Sequence, residues 1–513
     1  VFKGNIDYLN ENEICIRLRA TQQNSSVLPS DSLYAIEHDA MDTTFRSMYQ
    51  GLYAFMSATK ERRDLLLSQR EPQFDVALDK QIAEAADDFT RIALKAKAAK
   101  DYFLLVGPPG TGKTSCALKK MVETFYKEEG AQILLLSYTN RAVDEICKAL
   151  SSIRPEVDFI RVGSELSCDE NYRDHLIENE LATCMRRTEV CERINRCRIL
   201  VGTVASISGK PELFRLKHFD VAIVDEATQI LEPQLLGILC AKGENGKEGV
   251  GKFILIGDHK QLPAVVLQNT EQSEVYDEAL SAVGLKNLKD SLFERLYRTA
   301  RQHTDAHRTY DMLCRQGRMH PEVALFANQA FYEGRLLPVG LPHQLEDSGN
   351  INRLSFYPSR PEPMGSSAKT NHSEAKIAAR LAATVYKEHS EAFDASRTLG
   401  IITPYRSQIA LIKKEIEVLG ISELNQILID TVERFQGSER DVIIYSFCVN
   451  YPYQLKFLSN LTEEDGILID RKLNVALTRA RKQMLLTGVP TLLERNPLYK
   501  SLLKLIESLR NIA

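Results

Sequence analysis

The stretch YFLLVGPPGTGKT, residues 102–114, joins a short apolar run to a turn rich in glycine and proline. The run has the length and composition of a buried strand, and a helical pattern follows from Thr114. The turn matches G-x-x-x-x-G-K-[ST], in which glycines let backbone N–H groups approach a phosphate. The alternative is a glycine turn that binds nothing. We predict a nucleotide-binding loop made of Gly107, Pro108, Pro109, Gly110, Thr111, Gly112, Lys113, Thr114 and Ser115.

Within this loop two side chains have distinct expected roles. Lys113 supplies a point charge to the β- and γ-phosphates, and Thr114 supplies a hydroxyl to Mg²⁺. A second strand, in VAIVDEATQ (221–229), ends in two acids. Asp225 would join Thr114 in holding Mg²⁺, and Glu226 would accept the proton of an attacking water. The two acids could instead cap the next helix, but beside a phosphate loop they indicate hydrolysis of a nucleoside triphosphate, with ATP expected.

Short apolar runs recur along the chain and alternate with helical patterns. They lie at 132–137, 198–203, 220–225 and 252–258, and a second series lies at 398–405, 427–435, 441–447 and 483–489. This alternation predicts an α/β protein with two tandem parallel sheets flanked by helices. The tract 341–370 is rich in Pro, Ser, Asn and Gly and is predicted to be an irregular loop.

The predicted organisation has three parts. Residues 1–98 form a small β-rich accessory region followed by a helical linker. Residues 99–310 form the first α/β domain, with a helical insertion at about 165–197, and residues 311–513 form the second.

The composition limits the class of protein. The 513 residues are 44% hydrophobic and 26% charged, which excludes a disordered or fibrous chain. The net charge of −4 argues against a uniformly basic nucleic-acid binder, although a local basic groove would not alter this sum. No apolar run reaches the length of a membrane span and no signal core is present, so we expect a soluble protein of the cytoplasm or, in a eukaryote, the nucleus.

The cysteines and the first residue allow two further expectations. Ten cysteines contain no C-x-x-C pair, which favours free thiols over a metal site. Because the chain begins at Val1, we expect it to come from a longer protein, with further domains or protein partners outside this segment.

Seven motifs occur in a characteristic order. They are GPPGTGKTS, DEATQ, GDHKQLP, QGRMHPEVALFANQAFYEGRL, GIITPYRSQ, DTVERFQGSERDVIIYS and LNVALTRARKQMLL. Together, over about residues 100–490, they resemble superfamily 1 nucleic-acid helicases. The likeness is strongest to the 5′-to-3′ branch that includes the helicase of nonsense-mediated mRNA decay and the replication helicase–nucleases. The resemblance implies two RecA-like domains that use ATP and Mg²⁺ to move along single-stranded DNA or RNA.

The resemblance also implies residue roles at the ATP site. Gln261 matches the γ-phosphate sensor, and Arg318 and Arg479 match arginines that reach the γ-phosphate from the second domain. Glu439 matches a glutamate expected near the ribose, and Gln316 is expected at the same cleft.

For nucleic acid, the resemblance implies backbone contacts that are independent of sequence. The expected residues are Ser137, Thr139, Asn140, Thr203, Pro404, Tyr405, Arg406, Gln408 and Thr431. The threonines could instead be helix N-caps, and Tyr405 could instead serve domain packing.

Two positions depart from the family pattern. The glutamine-containing segment that reads adenine is missing, with Gln81 a weak substitute, and Gly317 stands where the family usually has tyrosine. Two other functions stay open: an ATP-gated clamp that binds nucleic acid without unwinding, and a P-loop ATPase that remodels protein. The sequence leaves open the choice between DNA and RNA.

Overall fold

The computed structural model describes residues 4–18, 32–36, 43–244, 246–266, 268, 270–302, 305–347, 352–363 and 365–510. Its first described part is an antiparallel hairpin of β1 (Gly4–Leu9) and β2 (Ile14–Leu18). The helices that follow are α1 (Thr43–Met56), α2 (Lys60–Leu66), α3 (Asp79–Ala83) and α4 (Asp88–Ala98). The β-rich character predicted for the N-terminal region therefore applies, among the described residues, to the hairpin and not to residues 43–98.

Seven parallel strands form the first sheet. They are β3 (Tyr102–Val106), β4 (Ile133–Ser137), β5 (Phe159–Val162), β6 (Ile199–Thr203), β7 (Phe219–Val224), β8 (Val250–Gly257) and β9 (Tyr310–Met312). Their order is β5-β6-β4-β7-β8-β3-β9. Because all strands run the same way, the segments that follow β3, β7 and β8 meet at one edge of the sheet.

Helices cover both faces of this sheet, so strands such as β3 are buried along their whole length. They are α5 (Lys119–Tyr126), α6 (Asn140–Ser151), α7 (Ile177–Glu180), α8 (Arg187–Arg196), α9 (Val204–Ser208), α10 (Glu212–Leu216), α11 (Glu232–Leu239), α12 (Thr270–Ser273), α13 (Glu278–Ala282), α14 (Leu292–Ala300) and α15 (Ala306–Thr309). The N-terminal helices belong to this layer: α1 packs on α11, and α4 packs on α5. A π-helical turn at Lys113–Leu118 precedes α5.

The second sheet has five parallel strands in the order β12-β18-β15-β13-β14. Two short strands precede it and pair with each other, and β16 and β17 form a separate antiparallel hairpin. These elements are β10 (Arg315–Gln316), β11 (Leu337–Pro338), β12 (Leu354–Pro358), β13 (Leu399–Ile402), β14 (Leu428–Asp430), β15 (Arg440–Ser446), β16 (Leu461–Glu464), β17 (Ile467–Asp470) and β18 (Ala480–Gly488).

Helices flank the second sheet as well. They are α16 (Pro321–Phe331), α17 (Pro342–Leu345), α18 (His372–Glu388), α19 (Arg406–Glu417), α20 (Val432–Phe435), α21 (Leu455–Leu458), α22 (Arg471–Leu477), α23 (Pro490–Leu493) and α24 (Pro497–Arg510). No helix in the described part of the chain is long and apolar enough to cross a membrane. All ten cysteines are free thiols.

The predicted fold class is confirmed: the chain is α/β, with two parallel sheets in tandem. The prediction of a loop over 341–370 is wrong at residues 342–345, which form α17, and at residues 354–358, because β12 pairs with β18 along the edge of the second sheet. The division of the chain at residues 98 and 310 stays a prediction. The last strand of the first sheet, β9, begins at Tyr310 and pairs with β3.

The β16–β17 hairpin carries acidic residues against the first domain. Glu464 lies 2.9 Å from His259 Nε2 and 3.2 Å from Arg301 Nη1. Nearby, Arg471 at the start of α22 forms an ion pair with the buried Glu294 of α14. Burial raises the pKa of Glu464, but His259, Lys260 and Arg301 outweigh this effect and lower the pKa to about 2. These ion pairs hold the two domains together at this side of the cleft.

Candidate nucleotide site between the two sheets

The loop after β3 has the backbone shape that a phosphate cradle requires. Gly110 and Gly112 have φ angles of 73° and 75°, a region that favours glycine. A Cβ on Gly110 would lie 2.4 Å from the Cβ of Arg318, so only glycine allows the second domain to approach this closely. The approach is fixed by Gly317, whose N–H donates to the Gly110 carbonyl at 2.8 Å.

The acids after β7 meet the side chains of this loop. Thr114 Oγ1 donates to Asp225 Oδ2 at 2.5 Å, and Lys113 Nζ lies 3.3 Å from Glu226 Oε1. Glu226 has a φ of 53°, and Gln229 donates to its other carboxylate oxygen at 3.1 Å. Non-glycine residues are uncommon in this left-handed region of the backbone map. At Glu226 this conformation directs the side chain toward Lys113 of the phosphate loop.

The pKa values of the two acids are shifted in opposite directions. Burial and then the charge of Glu226 raise the pKa of Asp225 to about 6. Burial also raises the pKa of Glu226, but the charge and hydrogen bond of Lys113 outweigh it and leave that pKa below its ordinary value. Glu226 is therefore the stronger acid of the pair, and Lys113 stabilises its charge.

The loop after β8 contributes Gln261 to the same cleft. Gln261 Nε2 donates to Asp258 Oδ2 at 2.7 Å, and Tyr332 from α16 also donates to that oxygen at 2.7 Å. The side-chain amide oxygen of Gln261, Oε1, accepts from Arg479 Nη2 at 3.0 Å. Asn474 of α22 donates to the Lys260 carbonyl at 2.7 Å. A chain of hydrogen bonds thus runs from the first domain into the second.

Arg479 and Arg318 bring positive charge to the cleft from the second domain. Arg479 is only 2% exposed, and burial, helped by the nearby charge of Arg318, lowers its pKa to about 9. Arg318 Nε donates to Glu439 Oε2 at 2.5 Å, and Arg318 Nη1 donates to the Thr478 carbonyl at 3.3 Å. Burial raises the pKa of Glu439, but the charge and hydrogen bond of Arg318 outweigh burial and leave this pKa below its ordinary value.

Gln316 has a local structural role. Its amide oxygen accepts from the backbone N–H groups of Arg318 and Met319, and its amide nitrogen donates to the Met319 carbonyl. The side chain is buried and closes the turn that carries Arg318. Its predicted contact with nucleotide stays a prediction, as does a ribose contact for Glu439, which holds Arg318.

The rest of the predicted loop is placed as follows. Gly107 N–H donates to the Gly257 carbonyl at 2.9 Å, and Thr111 Oγ1 donates to the Pro108 carbonyl at 2.7 Å. Pro109 is buried, whereas Ser115 is exposed. Phe89, at the start of α4, was not singled out in the sequence. Its Cζ would lie 3.6 Å from a Cβ on Gly112, so its ring flanks the phosphate loop.

Predicted nucleic-acid residues of the first domain lie at the ends of two paired strands. Ser137 of β4 is directly opposite Thr203 of β6. Ser137 is buried and donates to the Asp225 carbonyl at 3.2 Å, so it links this edge to the nucleotide site. Thr139 and Thr203 accept from backbone N–H groups as N-caps of α6 and α9, and Asn140 is half-buried.

Predicted residues of the second domain lie after β13 and β14, which are also paired. Thr431 occupies the N-cap position of α20 without a side-chain capping hydrogen bond, and Tyr405 accepts at its hydroxyl from Gln454 at 3.1 Å. Arg406 is exposed and Pro404 half-buried. Gln408 is fully buried and bonded to the Asn371 backbone at both ends of its amide, so it supports this edge from inside.

Comparison with known proteins agrees with this arrangement. A family model described as AAA domain matches residues 288–491, and a second of the same description matches residues 81–190 and 179–269. The DNA replication ATP-dependent helicase/nuclease DNA2 of Bos taurus is 27% identical over 562 residues, covering 99% of this chain and 48% of that protein. The Homo sapiens protein of the same name is 28% identical, covering 94% and 46%.

The two matched regions and these relatives make the chain similar to superfamily 1 helicases of the replication helicase–nuclease type. The chain spans about half the length of the curated relatives that it matches. Among solved structures, the Arterivirus nonstructural protein 10 helicase in complex with DNA matches with a TM-score of 0.37 and 16% identity, over 78% of this chain and 62% of that one.

Gln81 and Phe89 illustrate what the sequence left open. Gln81 is exposed on the short helix α3, whereas Phe89 lies against the phosphate loop. The signal that could have located Phe89 is the helix start around it. Asp87 accepts from Thr90 N at 2.9 Å as an N-cap, which places Phe89 in the first turn of α4.

Proposed function

We propose that this chain hydrolyses ATP between its two sheets and uses the resulting domain motion to move 5′ to 3′ along single-stranded nucleic acid and unwind duplexes. The observation that carries the proposal is the hydrogen bond from Arg479 Nη2 to Gln261 Oε1. This bond joins Arg479 of the second domain to the loop after β8 in the first domain. Strand β8 is the neighbour of β7, which precedes Asp225. A γ-phosphate bound at the phosphate loop would therefore be approached from both domains.

The nucleotide binds where Lys113, Arg318 and Arg479 converge. Burial and mutual repulsion of the two arginines depress the pKa of Arg479 to about 9, so the site gains from an added anion. A triphosphate supplies that anion. When Lys113 turns to the phosphates, Glu226 loses its partner at 3.3 Å and is free to accept a proton from water.

The residues present fit a magnesium ion. Thr114 and Asp225 bring a hydroxyl and a carboxylate together at 2.5 Å, and oxygen ligands of this kind are those that Mg²⁺ prefers. Bound Mg²⁺ supplies positive charge to the β- and γ-phosphates. Thr114 and Asp225 would hold the ion, and Gln229 would keep its hydrogen bond to one carboxylate oxygen of Glu226.

Phe89 is the group we assign to the nucleotide base. The base lies beyond the α-phosphate, on the side of the loop where Gly112, Ser115 and Cys116 are found. The Phe89 ring approaches Gly112 there, and it offers a face for stacking in place of the aromatic side chain absent at Gly317.

Hydrolysis weakens the bridge between the sheets. After the γ-phosphate leaves, Arg318 and Arg479 lose the anion that they contact together with Lys113. The cleft then opens while the remaining contacts between the domains persist. Single-stranded nucleic acid lies across the strand ends at 137–140 and 203 in the first domain and at 404–406 and 431 in the second. The exposed Arg406 and the N-termini of α6 and α19 contact its phosphates, so binding tolerates any sequence and weakens with salt.

A strand-displacement assay tests this proposal. DNA and RNA duplexes with a 5′ or a 3′ single-stranded tail are mixed with the chain and ATP, with Lys113→Ala as the control that removes nucleotide binding. We expect ATP-dependent displacement from 5′ tails only. Displacement from 3′ tails alone would contradict the polarity. Nucleic-acid-stimulated hydrolysis without any displacement would instead indicate a clamp or a simple translocase.

A further inference from the structure

The loop after β15 lies beside Tyr405, which follows β13 and precedes α19. The two strands are paired and parallel, with Ile402 opposite Tyr445. The segments that leave them, residues 403–405 and 447–458, therefore share one edge of the second sheet. Residues 447–459 contain aromatic side chains and Lys456 but no acidic residue.

Gln454 fixes this loop to Tyr405. The buried amide nitrogen donates to Tyr405 Oη at 3.1 Å and to the Ala368 carbonyl at 2.7 Å. The amide oxygen accepts from the N–H groups of Asn450 and Tyr451. Burial raises the pKa of Tyr405, and the nearby Tyr453 contributes in the same direction. The loop and Tyr405 thus form one rigid unit.

Two aromatic rings of this loop face solvent, whereas Phe447 is buried and Tyr451 is half-buried. Tyr453 is 56% exposed and Phe457 63% exposed. The Tyr451 and Tyr453 rings are stacked, with centroids 5.8 Å apart and an angle of 13° between their planes. Phe457 meets Tyr453 edge-on, with centroids 6.5 Å apart. Neighbouring exposed rings on a folded domain mark a binding surface more often than isolated ones do.

Two basic side chains line a cavity beside these rings. A cavity of about 310 Å³ adjoins the loop, and its lining includes Lys456 and Arg495 but no acid. Lys472 Nζ donates to the Phe457 carbonyl at 3.2 Å and forms an ion pair with Glu433 at 3.0 Å, so it positions the loop. A ligand with aromatic faces and negative charge fits such a surface, and the unpaired bases and phosphates of a single strand provide both.

We propose that Tyr453 and Phe457 form a base-stacking platform, continuous with Tyr405, for single-stranded nucleic acid that passes over the second domain. The inference rests on the proposed function and adds a binding subsite to it. Stacking on a ring face requires no particular base, so the platform holds any sequence. The platform moves with the second sheet, so it grips the strand on the domain whose position changes during hydrolysis.

Fluorescence anisotropy with two labelled oligonucleotides tests the platform. One is an oligothymidylate, and the other has the same length and backbone but lacks bases. Dissociation constants are measured for the whole chain and for Tyr453→Ala, Phe457→Ala and Tyr453→Phe. Tyr276→Ala is the matched control, because Tyr276 is 78% exposed on the first domain, away from this edge.

We expect Tyr453→Ala to weaken binding of the thymidylate strand about tenfold and to leave binding of the strand without bases unchanged. Tyr453→Phe and Tyr276→Ala should bind as the unchanged chain does. Equal losses on both strands, or no loss on either, would overturn the platform. If the unchanged chain binds neither strand, the proposed function fails. If it binds and unwinds but Tyr453→Ala behaves normally, only the platform fails.

Discussion

Arg479 of the second domain donates a hydrogen bond of 3.0 Å to Gln261 of the first, and Gln261 in turn donates to Asp258 at 2.7 Å. The same arginine is buried and experiences the charges of Arg318 and Glu226. Its position therefore depends on charge at the nucleotide site and on the contact between the sheets. In the proposed mechanism, this relationship would let one phosphate set the separation of the two domains.

Separate roles for Lys113 and Glu226 lead to opposite mutational phenotypes. Glu226→Gln should bind ATP at least as well as the unchanged chain, because Lys113 loses a competing partner, and should hydrolyse it about 10²–10⁴-fold more slowly. Lys113→Ala should fail to bind. Binding of a fluorescent ATP analogue and steady-state phosphate release measure the two effects. Equal binding losses in both variants would contradict the assigned roles.

Phe89 is expected to bind the base and not the phosphates. Phe89→Ala should raise KM for ATP about three- to tenfold through lost stacking, with kcat little changed. Phe89→Tyr keeps the ring and serves as its control. Inhibition by inorganic tripolyphosphate, which has no base, should be the same in all three proteins. A parallel loss of tripolyphosphate affinity would mean that Phe89 only supports the phosphate loop.

The ion pairs of Glu464 hold the domains together without nucleotide. Glu464→Gln should weaken this contact by about 1–3 kcal/mol and lower the temperature of unfolding, because His259 and Arg301 lose their charged partner. Fluorescence energy transfer between dyes on the two domains should report a more open cleft. Glu463→Gln, on the exposed side of the same strand, is the control. An equal effect of both substitutions would contradict a specific role for Glu464.

Glu374 should make stability depend on pH. Its carboxylate accepts from Ser446 Oγ and Cys448 N inside the second domain, and burial raises its pKa from the ordinary 4.5 to about 7. The folded state thus retains a proton that the unfolded state has lost. The stability that Glu374 contributes is complete below pH 4.5 and is lost as the pH rises to 7, by at most about 1.4 kcal/mol per pH unit.

Urea denaturation of the unchanged chain and Glu374→Gln measures this dependence. Between pH 5 and 7 the unchanged chain should lose stability faster than the variant, and above about pH 7.5 the two curves should run parallel. Identical slopes throughout would show that Glu374 is ionised in the folded protein.

The sequence predicted the sheets where strands are apolar on both faces. β3 and β15 are such strands, because helices cover both sides of them. The prediction missed β5, where Arg161 interrupts the apolar run. In the structure Arg161 is buried and paired with Asp144 of α6, a partner that local pattern cannot identify. It also missed β12, whose five residues lie in a tract rich in turn formers.

The candidate site was predictable to the extent that motif residues are brought together by parallel strands. Lys113, Asp225 and Gln261 follow three neighbouring strands and so meet at one edge. Buried polar residues were less predictable. Gln316 and Gln408 bond to nearby backbone groups inside the second domain, and no spacing rule distinguishes such support from contact with a ligand.

Arg479→Ala tests the bridge between the sheets most directly. Arg318→Ala is measured alongside Arg479→Ala, because loss of the buried Arg479 could lower the stability of the fold. Arg318→Ala removes a more accessible guanidinium from the same cleft. Binding of a fluorescent ATP analogue confirms that the nucleotide site is intact in each variant.

The deciding measurement is the rate of ATP hydrolysis by Arg479→Ala at saturating ATP and single-stranded nucleic acid. The account predicts a fall of roughly a thousandfold or more with ATP binding retained. Hydrolysis at the rate of the unchanged chain would contradict it.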